Sequence, residues 1–186
     1  MLRRILIAAA APWPAVRLLA QQQDETRPRQ KISAATLYEA LSARFPVSLG
    51  VPGLLELVVS APQLLLLPAS NQLGAALVAQ ASGPALQGTA PPGEMDLVFN
   101  LRYEAADRTL RAVRPEVRDL RLPGVVAETA QALRALLPSL TRDLAAEFIL
   151  HRFTERELAV PDTMGFAPER FTVLEDGLLV VFGPKP

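Results

Sequence analysis

The chain contains no cysteine and a single histidine, His151, and this scarcity excludes several kinds of chemistry. Without cysteine there is no disulfide, no thiolate nucleophile and no cysteine metal site. A zinc site would have to consist mainly of carboxylates, which is unusual for that metal. As a general base, His151 would need a nucleophile and an orienting acid, and the sequence places neither beside it. We therefore interpret His151 as a histidine near the C-terminal carbonyls of a helix, and we expect no metal and no cofactor.

The charges of the chain balance, and the common catalytic motifs are missing. Lysine and arginine together number 19, as do aspartate and glutamate, so the formal net charge is zero. Proteins that bind duplex DNA usually carry a basic excess, so we expect no nucleic-acid partner. There is no glycine-rich phosphate loop, no G-x-S-x-G turn and no H-E-x-x-H pair. Together these absences indicate a binding or structural module and not an enzyme.

Two charged segments remain as candidates for polar sites. Asp143 and Glu147 are one helical turn apart and could hold a metal or exchange a proton, but the neighbouring Arg142 and Arg152 favour a solvated charged face. The arginines between Arg108 and Arg121 could bind an anion or lipid headgroups, but acidic residues are interleaved with them. We expect neither segment to be a dedicated site.

Residues 1–20 have the pattern of an export signal. Arg3 and Arg4 form a positive start, Ile5–Ala11 is a short apolar core, and Leu18-Leu19-Ala20 ends where cleavage could occur. Two prolines and an arginine interrupt the apolar run, so a ragged N-terminal helix of a cytoplasmic protein is the alternative. The run is too short and too broken to span a membrane. We favour export, and interpret residues 1–20 as a signal peptide.

The composition of the remaining chain predicts a polar linker followed by one domain. Residues 21–31 are polar and show no periodicity, whereas residues 32–186 suffice for a single α+β domain with a substantial core. The clearest strand is Glu94–Glu104, where Met95, Leu97, Phe99, Leu101 and Tyr103 alternate with polar residues. One face of this strand is therefore expected to pack on the core and the other to face water, as in an antiparallel sheet.

Further elements follow from periodicity and turn residues. We predict a helix after Ser33, strands at Leu54–Leu67 and Leu73–Ala81, and a C-terminal hairpin turned at Asp176-Gly177. Residues 108–122 fit either a helical stripe or two short strands with a bulge at Arg114-Pro115. The proline in the middle of the segment favours the strands.

The dominant prediction is a long helix over Gly124–Phe153. Its apolar residues recur at steps of three and four, and at about 1.5 Å per residue it would be roughly 40 Å long. Pro138 either kinks this helix or begins a second segment of it. Such an apolar helix has to be buried against other elements. The strands predicted upstream, in which apolar and polar residues alternate, are available to bury it. We therefore predict an α+β fold in which a strongly curved antiparallel sheet wraps around this C-terminal helix, with a short N-terminal helix.

The order of these elements resembles the YceB-like family of bacterial envelope lipoproteins, whose function is unknown. The residues that carry the resemblance are Leu18-Leu19-Ala20, Ile32-Ser33, Phe45-Pro46, Leu101-Arg102-Tyr103, Leu136-Leu137-Pro138 and the closing strand Leu178–Phe182. The resemblance implies a TULIP-like domain, an architecture whose members bind lipids in an elongated apolar groove. A lipoprotein would carry cysteine after Ala20, but Gln21 stands there. This departure from the family pattern excludes acylation, so we expect a soluble periplasmic protein, or one held by its uncleaved N-terminus.

These observations lead to a lipid-binding hypothesis. A lipid or other hydrophobic small molecule would lie between the strand face and the helix stripe, without catalysis and with peripheral membrane association left open. The expected ligand-binding residues are Leu97, Phe99, Leu101, Tyr103, Leu133, Leu137, Leu140, Leu144 and Phe148. The same residues could instead pack as a closed core, which would favour an envelope scaffold or a protein-interaction domain with unknown partners. A hydrolase would need a polar cluster around His151.

Overall fold

The computed structural model describes residues 27–51, 53–86, 88–144 and 147–185, and for residues 51, 61, 85, 88, 89 and 136–144 it describes the backbone alone. The predicted signal peptide, residues 1–20, lies outside the described residues, as does the linker up to residue 26. Within the described ranges the chain forms three α-helices and two antiparallel sheets. The α+β class and the antiparallel pairing are therefore confirmed.

The elements follow one another in an order that alternates short helices with long strands. They are β1 (Arg29–Ser33), α1 (Ala34–Ser42), β2 (Val47–Val51), β3 (Leu55–Leu67), β4 (Gln72–Gly83), β5 (Gly88–Thr89), β6 (Gly93–Glu104), β7 (Thr109–Arg121), α2 (Ala127–Leu144), β8 (Phe148–Arg152), α3 (Glu155–Thr163), β9 (Phe166–Leu174) and β10 (Gly177–Pro184). Short 3-10 turns at Pro68–Ser70 and Pro84–Leu86 flank β4.

The larger sheet is a strongly curled half-barrel. Its strands lie in the order β2-β3-β4-β6-β7-β8, and β5 pairs with the end of β4. Helix α1 packs against both β3 and β8, which lie near opposite ends of that order. The curl brings the two edge strands towards each other. Val47 on β2 and Phe148 on β8 consequently line the same small cavity. The sheet thus curls around α1.

The smaller sheet has the order β1-β10-β9 and contributes the other half of the core. Leu178, Val180 and Phe182 on β10 are buried in the same hydrophobic cluster as Leu37 and Leu41 of α1. The predicted C-terminal hairpin is confirmed, and its turn at Glu175 and Asp176 leads into Gly177. Gly177 has a φ of 151°, and a Cβ there would lie 2.2 Å from the Ile32 carbonyl oxygen. Only glycine fits this turn beside β1.

The predicted long helix over Gly124–Phe153 is wrong. Helix α2 has 18 residues, about 27 Å, and the chain then forms β8, which pairs with β7. In β8, Leu150 is buried while Ile149 is exposed, so this short apolar segment follows the two-residue period of a strand. A dense apolar run fits both the helical period and the strand period. This segment forms a strand because it pairs with β7. Phe148 and His151 therefore lie on a strand and not on a helix.

The predicted packing of the sheet around a C-terminal helix is also wrong. Helix α2 contacts β7 and β2, whereas α1 is the helix whose leucines are buried among the inward residues of the curled sheet. Among the described side chains of α2, Leu133 is buried and most of its neighbours are exposed. The short N-terminal helix thus occupies the place that the sequence assigned to the long one.

Three local predictions can be compared with the structure. Ser33 caps α1 as expected, because its hydroxyl accepts a hydrogen bond from the Thr36 N–H at 3.2 Å. The predicted bulge at Arg114-Pro115 is confirmed, but β7 is one continuous strand through it and Arg114 has a φ of 50°. Strand β1 begins inside the segment predicted to be a linker, because β10 supplies it with a hydrogen-bonding partner.

Candidate functional site

The structure brings three of the predicted ligand-binding residues together. Leu97 and Phe99 on β6 are buried, and Phe148 on β8 is partly buried. The rings of Phe99 and Phe148 meet edge to face, with their centroids 5.3 Å apart. These three residues line one cavity between the two edges of the curled sheet, which we call the seam cavity; its other lining residues are Arg44, Phe45, Val47 and Pro115.

The seam cavity is small. Its volume is about 40 Å³, which holds a water molecule but not an acyl chain. Leu37 and Leu41 of α1 and the inner face of the smaller sheet fill the rest of the concave space. Among the residues that the structure describes, these side chains form a packed core beside the seam cavity.

The other predicted ligand-binding residues are elsewhere or not described. Leu101 and Tyr103 are partly buried against the core, and the Tyr103 ring packs on Phe153 with centroids 5.8 Å apart. Burial raises the pKa of Tyr103, which Arg108 opposes. Leu133 is buried on α2. The side chains of Leu137, Leu140 and Leu144 lie outside those that the structure describes.

A larger open groove lies at one end of β2, and the sequence analysis did not find it. Its volume is about 590 Å³, and its walls are mostly leucine, glycine and proline, with the lining residues Ser48, Leu49, Gly50, Gly53, Leu54, Leu55, Glu56, Ser82, Gly83 and Pro84. We call it the β2 groove. The Leu54 side chain is 50% exposed here, whereas Leu49 and Leu55 are buried. The stretch between β2 and β3 contains glycines and a proline, and no sequence pattern in it signals a groove.

The β2 groove and the seam cavity are neighbours along one strand. Val47 lines the seam cavity and Leu49 lines the groove. Alternate residues of a strand point to the same side and are about 7 Å apart, so the two spaces lie close to each other along β2. The exposed residues Ser48 and Glu56 also line the groove. Helix α2 packs on β2 and β7 beside them. We call the β2 groove and the seam cavity together the apolar track; the two spaces share no lining residue, and the groove opens to solvent at Leu54.

Arg44 is the one charged residue among those that line the seam cavity. Its guanidinium carbon lies 5.8 Å from the centroid of the Phe148 ring, within the range of a cation–π contact. The backbone N–H of Arg44 donates to the Leu41 carbonyl at 3.0 Å, which fixes the chain just after α1. An exposed cation therefore lies beside the seam cavity.

His151 lies in a small polar cluster that holds elements together. Its Nε2 is 3.1 Å from Glu157 Oε1, and Gln30 Nε2 donates to the same oxygen at 3.3 Å. Thr154 and Glu157 form a reciprocal capping box at the start of α3. Burial raises the pKa of Glu157, but the Thr154 N–H and hydroxyl with His151 outweigh it and leave that pKa below its ordinary value. The cluster joins β1, β8 and α3, and the Thr154 hydroxyl in it is engaged in the capping box.

The charged segments considered from the sequence form ion pairs. Glu147 Oε2 accepts hydrogen bonds from Arg102 at 2.6 Å and from Arg111 at 3.2 Å, while the Asp143 side chain lies outside those described. Hydrogen bonding from the Thr109 hydroxyl lowers the pKa of Asp107, and Arg111 adds to this effect against the opposing effect of burial. In the described ranges, no group of three or more histidine and acidic side chains is placed to hold a metal ion.

Comparison with known proteins adds no family. No protein-family model matches the chain, and no curated protein matches its sequence. Within the ranges that the structure describes, none of the helices combines the length and apolar character required to span a bilayer. The geometry of the track along β2 is therefore the observation on which a functional proposal rests.

Proposed function

We propose that the protein binds a lipid or another elongated apolar molecule, without catalysis, along the apolar track on β2. The observation that carries this proposal is the β2 groove of about 590 Å³. Ligand sites commonly have volumes of about 300–1,000 Å³ and predominantly apolar walls. The groove has both properties, and the seam cavity, where Leu97, Phe99 and Phe148 meet, lies further along β2.

Burial of hydrocarbon would supply the affinity. Each methylene removed from water contributes about 0.8 kcal/mol, so several methylenes in the groove suffice for micromolar binding without specific polar contacts. The mechanism is sequestration, in which the tail leaves water at Leu54 and lies against Leu49 and Leu55. A tail that reaches Phe148 requires the seam cavity to widen beyond its present volume of about 40 Å³.

The cellular setting belongs to the same proposal. The export-like pattern of residues 1–20 and the resemblance to YceB-like envelope proteins support a periplasmic location. A curled antiparallel sheet around a helix supports a TULIP-like architecture, although the enclosed helix is the short α1. Handling of lipids in the cell envelope would be consistent with an apolar track that opens to solvent.

A second candidate function is an envelope scaffold or protein-interaction domain. The observation in its favour is the packed interior, where the seam cavity of about 40 Å³ is too small for a lipid tail. In that case the β2 groove would be a surface feature without a lipid ligand. Binding of an apolar chain to the purified protein separates the two candidates.

The test is titration of the purified full chain with a fluorescent long-chain fatty acid. Leu54→Glu places a charge in the groove at an exposed position, and Met164→Glu makes the same change at a site on another surface that is 51% exposed. We expect wild type and Met164→Glu to bind the probe alike. Leu54→Glu should bind it at least about tenfold more weakly, because the bound tail would cover the new charge and remove it from water. Absence of binding by the wild type, or equal binding by all three, would overturn the proposal.

A further inference from the structure

A single charged residue, Glu56, lies among the described residues that line the β2 groove, and it indicates which class of apolar molecule the groove takes. We propose that the ligand carries a primary ammonium at the head of its apolar chain, and that Glu56 receives this ammonium while the chain lies against Leu54. This inference rests on the lipid-binding function proposed above. It adds the charge of the headgroup and the place where the headgroup lies.

Glu56 is isolated from other charges in the sequence. It is the one charged residue between Arg44 and Glu94, although charged residues make up 20% of the whole chain. The strands β2, β3 and β4 therefore carry a single formal charge, and this charge is in the wall of the β2 groove. The other described lining residues are uncharged, so they offer a cation one partner and an anion none.

Polar groups from three strands lie around Glu56. In the register of the sheet, Glu56 is opposite Gly50 on β2 and opposite Ser82 on β4. Cross-strand partners share one face of a sheet, as do residues two apart in a strand, so Ser48 lies on this face as well. All four residues line the β2 groove. One carboxylate and two hydroxyls therefore lie on the same wall of the groove.

These oxygen atoms are available to a ligand. Among the residues that the structure describes, the side chains of Glu56, Ser48 and Ser82 have no hydrogen-bond or ion-pair partner. Glu56 and Ser48 are exposed, and Ser82 is half-buried. Gly50 offers no side chain to cover the carboxylate, and a Cβ there would lie 2.1 Å from the Leu55 carbonyl oxygen, so a larger residue would not fit.

An ammonium matches these groups better than an anionic headgroup does. It has three N–H donors and no acceptor, whereas carboxylate and hydroxyl oxygens accept hydrogen bonds. A carboxylate headgroup would instead place two negative charges close together, which is unfavourable. Leu54, two residues before Glu56, is 50% exposed in the same groove and offers an apolar surface to the chain. The head and the chain of one molecule would therefore lie in a single space.

The experiment compares different headgroups on one tail. The methyl ester of cis-parinaric acid is a neutral fluorescent probe, and its binding to the purified full chain, after removal of bound lipid, reports apolar binding alone. Laurate, dodecylamine and dodecyltrimethylammonium then displace the probe at neutral pH, each below the concentration at which it forms micelles. The amine is protonated because alkyl ammonium groups titrate at about pH 10. The trimethylated compound keeps the positive charge without N–H donors.

The displacement is measured for wild type, Glu56→Gln, Glu56→Lys and Glu175→Gln. Glu175 is an exposed glutamate in the turn between β9 and β10, and its replacement is the control for loss of one negative charge. Circular dichroism and thermal melting verify that each variant is folded.

We expect dodecylamine to displace the probe from wild type and Glu175→Gln at about tenfold lower concentration than laurate, because attraction of the one and repulsion of the other add. Glu56→Gln should bring the two compounds to within about twofold of each other, and Glu56→Lys should reverse their order. Dodecyltrimethylammonium should displace the probe less well than dodecylamine, since it cannot donate to the carboxylate or the serine hydroxyls.

Three outcomes would overturn the inference in distinguishable ways. Laurate as effective as dodecylamine on the wild type, or an unchanged preference in Glu56→Gln, would reject the ammonium site at Glu56 and leave apolar binding standing. Equal displacement by the two cations would reject hydrogen bonding of the headgroup by Ser48 and Ser82. Failure of the ester itself to bind would reject this inference together with the proposed function.

Discussion

Asn71 and Val173 are 102 positions apart in the chain, yet the Oδ1 atom of Asn71 accepts a hydrogen bond from the Val173 N–H at 2.7 Å. The Nδ2 atom of Asn71 donates to the Phe171 carbonyl at 3.0 Å. One amide side chain thereby acts as a strand partner for β9 and ties the β3–β4 connection of the curled sheet to the smaller sheet. The φ of Asn71 is 51°, a conformation that asparagine tolerates better than most residues.

Replacement of Asn71 by glycine tests this link between the sheets. Glycine adopts the positive φ without cost, so the substitution removes both hydrogen bonds and little else. We expect Asn71→Gly to lower the free energy of unfolding by about 1–2 kcal/mol, measured by urea denaturation, because the Val173 N–H loses its partner. Asn71→Ala should cost more than Asn71→Gly, since it adds strain. A glycine variant as stable as wild type would show that the amide does not hold the sheets together.

Thr109 is a buried polar residue whose hydroxyl serves two partners. It donates to Asp107 Oδ1 at 2.6 Å and accepts from Arg111 Nε at 3.0 Å, at the start of β7. Thr109→Val keeps the shape but removes both bonds, so we expect a loss of about 1–2 kcal/mol in urea denaturation. Thr172→Val on β9, a half-buried threonine with no side-chain hydrogen bond among the described residues, is the control. Equal effects of the two substitutions would contradict the proposed role of the hydroxyl.

Glu157 should make the stability of the protein depend on acid pH. Its folded pKa lies below the ordinary value of 4.5, so it contributes stability that is present above pH 4.5 and is lost as pH falls through the folded pKa. We expect Glu157→Gln to cost about 1 kcal/mol at neutral pH, and this cost to shrink as pH falls below the ordinary value. Urea denaturation at a series of pH values measures it.

The control for this pH dependence is Glu155→Gln. Glu155 lies in the same first turn of α3 but is exposed and takes no part in the capping box. Its replacement should change stability little at any pH. A cost of Glu157→Gln that stays constant from neutral to acid pH would show that the Thr154 and His151 contacts do not depend on the charge of Glu157.

Truncation of Phe99 should enlarge the seam cavity and extend the apolar track. Phe99 is 6% exposed and contacts Phe148 across the seam. We expect Phe99→Ala to cost about 3–4 kcal/mol in stability and, at temperatures where it is folded, to bind a fluorescent fatty acid more tightly than wild type. Leu41→Ala is a core truncation outside the cavity lining and should destabilise without raising affinity. Tighter binding by both variants would indicate general loosening of the core and not a ligand path.

The strands of the curled sheet could largely be read from local pattern. The alternation at Glu94–Glu104 predicts β6 to within one residue of its observed bounds, because one face of that strand is buried and the other is not. The bulge at Arg114-Pro115 was predictable because proline cannot continue the ladder. Likewise Ser33 and Asp176-Gly177 carry local signals for a cap and a turn.

Elements that depend on distant partners could not be read in this way. Strand β1 is polar and is stabilised by pairing with β10. Strand β8 forms because β7 offers an edge, and its apolar residues fitted a helix equally well. Helix α3 was not predicted, although the spacing of Thr154 and Glu157 is a capping-box signal that could have identified it.

Some residues of the candidate site could likewise be predicted from local sequence pattern, and others depend on the fold. Leu97 and Phe99 follow from the alternation of β6, whereas the approach of Phe148 and Arg44 to them depends on how the sheet curls. The β2 groove depends on the geometry of a turn between two strands, which glycine and proline mark but do not specify. Sequence pattern thus predicted one wall of the apolar track, and the fold supplied the other.

Organic extraction and mass spectrometry of the protein as purified from cells would test the central claim most directly. An apolar track that binds lipid should retain some of it through purification, so the extract should contain a long-chain lipid at close to one molecule per protein. An extract free of lipid, together with a failure of the purified protein to take up added fatty acid, would contradict lipid binding by this protein.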